Sequence, residues 1–124
     1  MFSHVVLGSD DIEKSKKFYD AVMQSLGYGE GVLDEKGRCF YMSETGMLGL
    51  TKPIDGHAAS NGNGSTIGFI ARSREAVDEW YKMGILNGGI AIENPPGIRV
   101  SGKRSMYLAY LRDPDGNKIC AYAL

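Results

Sequence analysis

Two side chains suited to chemistry stand in strand-like segments close to the two ends of the chain. His4 lies near the amino terminus, and Cys120 lies in the last apolar segment. An imidazole can act as a general base, a hydrogen-bond donor or a metal ligand, and a thiol can act as a nucleophile or a soft metal ligand. Each also has a structural interpretation, His4 as a hydrogen-bonded strand histidine and Cys120 as a small buried hydrophobe. The sequence shows no pairing of a base with an orienting group for His4, and no partner that would lower the pKa of Cys120.

Aromatic and basic side chains form a second group of candidates. Tyr107 and Tyr122 lie in the last two apolar segments, and Arg99 precedes Lys103 and Arg104 in what reads as a long loop. Tyrosine rings offer a surface to a planar ligand, and arginine can hold an anionic group at the mouth of a cleft. Alternation along a strand sends about half of such tyrosines into the core instead, and loop charges are often simply solvated.

The last hairpin of the chain positions several of these candidates. The turn sequence Asp113-Pro-Asp-Gly-Asn separates strand-like segments at residues 106–111 and 118–122. Pro114 presets φ for a turn corner, and Gly116 accepts the positive φ that closes it. The turn fixes the register, so Lys118, Cys120 and Tyr122 share one face of the final strand. We expect one face of this strand to line a cavity.

The upstream elements occur twice in the same order. A strand at residues 2–7 is followed by a helix that is capped by Asp10 or Asp11 and ends at Gly27, and residues 52–64 have linker composition. A second strand at residues 65–71 and a second helix then follow. Between the first helix and the linker, three short strands are predicted near residues 31–34, 38–42 and 47–51. Four corresponding pairs are each separated by 62 residues: His4 and Thr66, Asp11 and Ser73, Phe18 and Trp80, and Gly27 and Gly89.

This repeat predicts an α+β fold of two βαβββ modules. Residues 1–124 form a single domain, with module one at about 1–52, a linker at about 53–64 and module two at about 65–124. Each module would expose one face of a four-stranded sheet, and we expect the two sheets to curl around a shared cleft suited to a small molecule. Phe18 and Trp80 should be buried where each helix covers the outer face of its sheet.

Composition excludes several classes of partner. Hydrophobic residues make up 43% of the chain, charged residues 23%, and the net charge is −1, so nothing favours binding to nucleic acid or to an anionic membrane. No apolar run approaches the roughly 18 residues needed to span a bilayer, and no signal peptide is apparent, so we expect a cytoplasmic location. Cys39 and Cys120 lack metal-finger spacing and are predicted to be free thiols.

Four features of the sequence together resemble one known family. They are the βαβββ-βαβββ order, the opening His4-Val-Val-Leu followed by Asp11-Ile-Glu-Lys-Ser-Lys-Lys-Phe-Tyr-Asp, the second helix Ser73-Arg-Glu-Ala-Val, and the closing Arg112-Asp-Pro-Asp-Gly-Asn-Lys-Ile. This combination is similar to the glyoxalase / bleomycin resistance / extradiol dioxygenase superfamily, also called the vicinal oxygen chelate fold. The resemblance covers essentially the whole chain.

The resemblance implies where a metal would lie. Metal-dependent members bind one divalent ion through His or Glu side chains from the first and last strands of each module, and those positions correspond to His4, Gly49, Thr66 and Cys120. Three of these four positions lack the usual donor. Because one imidazole does not hold a labile hard ion against water, we predict that the chain uses no metal cofactor. The alternative is one divalent metal ion held by a rearranged ligand set.

The resemblance and the missing donors favour a binding protein for a small organic molecule, aromatic or planar. Its candidate cleft residues are His4, Gly49, Thr66, Tyr107, Cys120, Tyr122 and Arg99. The alternative is an enzyme, either a metal-dependent lyase of the lactoylglutathione lyase type or a dioxygenase. Metal-free catalysis, with His4 as general base or Cys120 as nucleophile, is a third hypothesis. Members of this length commonly pair, so we expect a homodimer.

Overall fold

The computed structural model describes all 124 residues and shows two βαβββ modules. The first consists of β1 (His4–Gly8), α1 (Ile12–Ser25), β2 (Val32–Leu33), β3 (Cys39–Met42) and β4 (Met47–Thr51). Its strands are ordered β1-β4-β3-β2, with β1 parallel to β4 and the other pairs antiparallel. The first strand of the module is therefore one edge of its sheet.

The second module repeats this arrangement. It consists of β5 (Ile67–Ile70), α2 (Arg74–Leu86), β6 (Ile90–Ser101), β7 (Arg104–Arg112) and β8 (Lys118–Ala123). The strand order is β5-β8-β7-β6, with β5 parallel to β8. The predicted α+β fold of two βαβββ modules is thereby confirmed. Neither helix has the length and hydrophobicity needed to cross a lipid bilayer.

Local signals define both helices. The Asp11 side chain accepts a hydrogen bond from the Lys14 backbone N–H, and the Ser73 side chain accepts one from Ala76. These bonds satisfy N–H groups that the first helical turn leaves unpaired. Gly27 follows α1 with φ of 92°. The predicted caps at Asp11 and Ser73 are confirmed.

The expected long loop around Arg99 is wrong. Arg99 lies inside β6, which pairs with β7 through a turn at Gly102, where φ is 61°. The prolines Pro95 and Pro96 bulge out of β6 where the register shifts between Ile92 and Gly97, and the ladder then resumes. A bulge accommodates residues that cannot donate to the ladder, so Pro-rich composition did not end the strand.

The two helices share one hydrophobic core. Phe18 of α1 and Trp80 of α2 are fully buried, as predicted, and each helix contacts its own sheet. In addition, α1 packs directly against α2. Among the helices and strands, this pair is where the two modules meet. Gly84 of α2 permits the close approach, because a Cβ there would overlap Leu111 Cδ1 and lie 3.2 Å from Val22 Cγ1. The sequence analysis placed each helix on its own sheet with no contact between the helices, and that part of the expectation is wrong.

The β7–β8 turn forms a second connection between the modules through buried Asp113. The Tyr19 hydroxyl of α1 donates to Asp113 Oδ2 at 2.6 Å, and the Asn117 side-chain amide donates to the same oxygen at 2.8 Å. The backbone N–H groups of Asp115 and Asn117 both donate to Asp113 Oδ1 at 2.9 Å. Burial, and then the Asp113 charge, raise the pKa of Tyr19 well above its ordinary value, so the phenol remains a donor.

Asp115 extends this connection to the beginning of α1. Its carboxylate accepts hydrogen bonds from the Asp10 backbone N–H at 3.1 Å and from the Ser15 hydroxyl at 2.8 Å. Ser15 in turn lies 2.6 Å from the Ser9 hydroxyl inside the protein. The turn sequence therefore attaches module two to module one, besides setting the hairpin register.

Candidate functional site

One face of each sheet packs on the helices, and we call the other face the open face. His4, Val6 and Gly49 lie on the open face of the first sheet, since Val6 pairs with Gly49 while neighbouring Leu48 and Leu50 belong to the core. His4 is exposed, and its Nδ1 lies 2.7 Å from the Ser3 hydroxyl oxygen. The other ring nitrogen of His4 is thus available to a ligand.

Gly49 is covered by an aromatic ring. A Cβ at this position would lie 2.9 Å from Phe40 Cε1 and 3.3 Å from Val6 Cγ2. The glycine therefore lets the Phe40 ring lie close against β4, and a larger residue would displace the ring. No side-chain donor enters the open face at this position.

Cys120 and Tyr122 lie on the open face of the second sheet. Gly68 and Tyr110 are the cross-strand partners of Cys120 on either side, and Thr66 is exposed just before β5. The Cys120 residue is 6% exposed. Burial, and then the negative charge of Glu93, raise the pKa of Cys120 to about 11. Cys120 is therefore a neutral thiol at pH 7, and both cysteines are free, as predicted.

Two candidate residues, Tyr107 and Arg99, already use their polar groups in hydrogen bonds within the protein. Tyr107 lies on the helix-facing side of β7, and its hydroxyl donates to Asp78 of α2 at 2.6 Å. The Arg99 guanidinium donates to the carbonyl oxygens of Asn94, Pro95 and Gly97 at 2.8, 3.1 and 3.1 Å. Tyr107 thus fixes α2 to its sheet, and Arg99 stabilises the bulge of β6.

A cavity of about 200 Å³ lies between the two modules. Its walls come from the edge strands β1 and β5, from the end of α1 and from the β3–β4 hairpin, and 11 of its 17 lining residues are hydrophobic. Of the seven sequence candidates, His4 lines this cavity. The remaining lining residues include Met23, Tyr28, Tyr41, Leu48, Ile67 and Phe69.

The floor of the cavity is rigid. Tyr41 and Leu48 belong to the buried core, and the Tyr41 hydroxyl donates to Asp20 Oδ1 at 2.8 Å. Burial and this hydrogen bond raise the pKa of Tyr41. Hydrogen bonds from Lys16, Gly31 and Tyr41 lower the pKa of Asp20 despite the opposing effect of burial. Tyr41 therefore presents its ring to the cavity while its hydroxyl is held by α1.

The structure also brings together residues that the sequence analysis had not connected. Lys118 Nζ lies 2.5 Å from Glu93 Oε2 and 4.7 Å from the centre of the Tyr110 ring, on the open face of the second sheet. The alternation of side chains along the last strand had already placed Lys118 on the same face as Cys120, and this was the sequence signal for its position. Glu93 carried no such signal, because the bulge determines where its side chain points.

Comparison with known proteins agrees with this architecture. The profile of the Glyoxalase/Bleomycin resistance protein/Dioxygenase superfamily matches residues 1–121. The chain belongs to this superfamily. A search of curated proteins finds no match.

Several solved structures of the superfamily are similar to the chain. A glyoxalase/bleomycin resistance protein from Albidiferax ferrireducens is 55% identical, with 98% of each chain covered and a TM-score of 0.95. A lactoylglutathione lyase from Agrobacterium tumefaciens is 25% identical, with 98% of this chain and 92% of the other covered and a TM-score of 0.64. A family enzyme from Burkholderia phytofirmans shares the fold at 19% identity and a TM-score of 0.73, with 97% and 95% covered.

The residues at the four positions that the resemblance assigns to a metal do not fit a divalent ion. Gly49 has no side chain and is covered by Phe40, Thr66 offers a neutral hydroxyl, and Cys120 offers a single soft sulfur donor that suits few of the hard ions. Only His4 provides a usual donor. Nowhere does the chain group three His, Cys, Asp or Glu side chains that could hold a metal ion. A catalytic site needs about three protein donors, so no step through a metal follows from these residues.

Proposed function

We propose that this member of the superfamily binds a small planar organic molecule in the cavity between β1 and β5, without a divalent metal. The observation that carries the proposal is the cavity itself, with a volume of about 200 Å³ and a largely apolar lining. A dry protein cavity of about 150 Å³ accepts benzene, so this one has room for one to two aromatic rings. Such clefts, apolar with a few polar groups, are typical ligand sites.

The lining residues suit a planar guest. Tyr41 and Phe69 provide aromatic surface, and Met23 supplies a flexible thioether that adapts to the shape of a guest. His4 lies at the cavity with one ring nitrogen free to exchange a hydrogen bond with a polar substituent. We expect the ligand to be mostly apolar with a single hydroxyl or similar group.

The side chains available as donors favour a binding protein over a metal-dependent enzyme and over metal-free catalysis. A lyase resembling the Agrobacterium structure, or a dioxygenase, would need a metal that the substituted positions are not suited to hold. Metal-free catalysis by Cys120 is disfavoured because a thiol with a pKa of about 11 contains little thiolate at neutral pH. Only the Ser3 hydroxyl bonds His4, and a hydroxyl is a weak orienting group for a general base.

Titration with naphthalene and 2-naphthol tests this proposal. We expect both to bind with one site per chain, and His4→Ala to weaken 2-naphthol about fivefold, the effect of one hydrogen bond, while naphthalene is unaffected. His57→Ala, which changes the other histidine, should leave both affinities unchanged. Dialysis against EDTA should alter neither affinity nor unfolding temperature. Failure of both probes to bind, or loss of binding after EDTA, would refute the proposal.

We also propose that a second copy of the chain covers the rim of this cavity. Phe2, Met42 and Ile70 line the cavity and are largely exposed. The edge strands β1 and β5 lack the features that usually protect sheet edges, whereas β2 has only two residues and β6 carries a proline-containing bulge. Exposed apolar side chains beside two unprotected edges are best covered by another protein surface.

Light scattering tests the homodimer. At micromolar concentration the protein should have twice the 13.5 kDa mass of one chain. Ile70→Lys should produce monomers, because the lysine would place a charge at the covered rim. Ile54→Lys is the matched control, since Ile54 is exposed but lies outside the cavity. A mass of one chain for the unaltered protein would exclude the dimer.

A further inference from the structure

The linker between the modules contains two consecutive Asn-Gly pairs. Asn61-Gly62 and Asn63-Gly64 lie between β4 and β5, and Asn87-Gly88 is the third such pair in the chain. In an Asn-Gly pair the glycine backbone nitrogen can reach the carbonyl carbon of the asparagine side chain, because glycine has no Cβ to hinder the approach and adopts most backbone conformations. Each pair is therefore a candidate for spontaneous loss of the side-chain amide.

The fold leaves the two linker pairs unprotected. Residues 60–66 are exposed and lie outside every helix and strand. Gly64 has φ of 97° within a turn that the Ser65 N–H closes by donating to the Gly62 carbonyl oxygen at 3.3 Å. The hydrogen bonds of this segment are made by the backbone and by the Ser65 hydroxyl, and neither asparagine amide takes part in one. Both asparagine side chains can therefore rotate into the geometry of ring closure.

Asn87 is the protected counterpart. Its Nδ2 donates to the Met83 carbonyl oxygen at 2.7 Å, and its backbone N–H donates to Gly84 at the end of α2. The Asn87 side chain is thereby held against the helix. Ring closure with the Gly88 nitrogen would require the bond to Met83 to break first. The same dipeptide is thus protected at the end of α2 and unprotected in the linker.

Asn61 also lies at the junction of the modules. A Cβ at Gly116 would be 3.5 Å from Asn61 Cγ, so the Asn61 side chain lies against the β7–β8 turn. The linker is attached beside this contact, because the Ala59 N–H donates to Asp10 Oδ1 at 2.6 Å. The Asp10 N–H in turn donates to the Asp115 carboxylate. A chemical change at Asn61 would therefore act where the linker, α1 and the turn meet.

Carboxylates outnumber cations at this junction. Asp10, Asp113 and Asp115 lie at the turn and at the start of α1, and Arg112 donates through Nη1 to the Gly116 carbonyl oxygen at 2.7 Å. A carboxylate in place of the Asn61 amide would meet three like charges and one opposite charge, so it would be repelled.

We propose that Asn61 is a site of spontaneous deamidation, which weakens the attachment of the linker to the module junction as the protein ages. The Gly62 nitrogen attacks Asn61 Cγ and forms a succinimide ring. The bond from Cγ to Nδ2 breaks, and Nδ2 leaves as ammonia with the proton of the Gly62 nitrogen. Water from the solvent then opens the ring at either carbonyl, which gives aspartate or isoaspartate. Asn63 reacts in the same way with Gly64 and provides an internal reference.

Peptide mass spectrometry of protein incubated at neutral pH tests the site. Asn61 should be converted to the acid, with heavy oxygen incorporated from labelled water, at least about fivefold faster than Asn87, which a hydrogen bond protects. Gly62→Ala should slow the reaction at Asn61 at least about fivefold and leave Asn63 unchanged, because the added methyl group hinders ring closure. This methyl group would meet only the Ser65 side chain. Equal rates at Asn61 and Asn87, or an unchanged rate at Asn61 in Gly62→Ala, would overturn the proposal.

Hydrogen exchange measures the effect on the junction. In Asn61→Asp, which carries one of the two products, the Ala59 N–H should exchange about threefold faster, the effect expected of repulsion between partly solvated charges. Asn63→Asp is the charge-matched control and should leave this exchange rate within about 1.5-fold, because salt screens the more distant charge. Unchanged or slower exchange of Ala59 in Asn61→Asp would mean that Arg112 accommodates the new carboxylate, and it would overturn the proposed weakening of the junction.

Discussion

Asp113→Ala is expected to lower the free energy of unfolding by about 4 kcal/mol. A loss of this size is typical when one partner of a buried charged network is removed. The carboxylate is 2% exposed and accepts four hydrogen bonds, from the Tyr19 hydroxyl, the Asn117 amide and two backbone N–H groups. Alanine would leave all four donors without a partner at the junction of the modules. Urea denaturation followed by circular dichroism measures this loss.

Asp55→Ala is the matched control for this substitution. Asp55 also accepts a backbone N–H two residues along the chain, from His57 at 3.0 Å, but at an exposed position. We expect it to cost less than about 0.5 kcal/mol. Tyr19→Phe, which removes one of the four donors to Asp113, should cost about 1 kcal/mol. If Asp113→Ala were as stable as Asp55→Ala, the turn would not be the connection between the modules.

Gly84→Val is expected to lower the free energy of unfolding by about 3 kcal/mol and the unfolding temperature by about 10 °C. A Cβ at Gly84 would overlap Leu111 Cδ1, and it would lie 3.2 Å from Val22 Cγ1 and 3.4 Å from Phe18 Cε1. These neighbours are fully buried, so α2 would have to move away from α1 and from β7. Differential scanning calorimetry measures the shift.

Gly29→Val separates overpacking from the general effect of replacing a glycine. No atom lies within 4 Å of the Cβ position at Gly29, and its φ is not in the left-handed region. We expect a change within about 0.5 kcal/mol. Similar losses in the two variants would mean that the helices do not depend on close contact at Gly84.

Much of the fold was predictable from short-range signals. The caps at Asp11 and Ser73, the glycine after α1 and the turn at Pro114 and Gly116 act within a few residues, so their types indicate the elements directly. The repeat of these signals predicted the two modules. The substitutions at Gly49 and Cys120 were also visible in the sequence, once the resemblance indicated which positions to inspect.

The tertiary structure decided which candidates meet. Tyr107 and Tyr122 both lie in apolar strands, and only the pairing register shows that Tyr107 faces Asp78 of α2. The proline bulge in β6 shifts that register, so the positions of Glu93 and Arg99 could not be obtained by counting alternate residues. Counting along the chain likewise cannot show which residues distant in sequence come into contact.

Asp113 shows the difference most clearly. Its place in a hairpin turn follows from the residues on either side, but its hydrogen bond to Tyr19, 94 residues away, depends on how the modules pack. The sequence by itself determined the two helices, the hairpin turn at Pro114 and Gly116 and the repeated order of the elements, because those follow from local residue types. Only the tertiary structure decided the helix contact, the cavity beside His4 and the Glu93–Lys118 pair, because side chains distant in sequence become neighbours only after the core has packed.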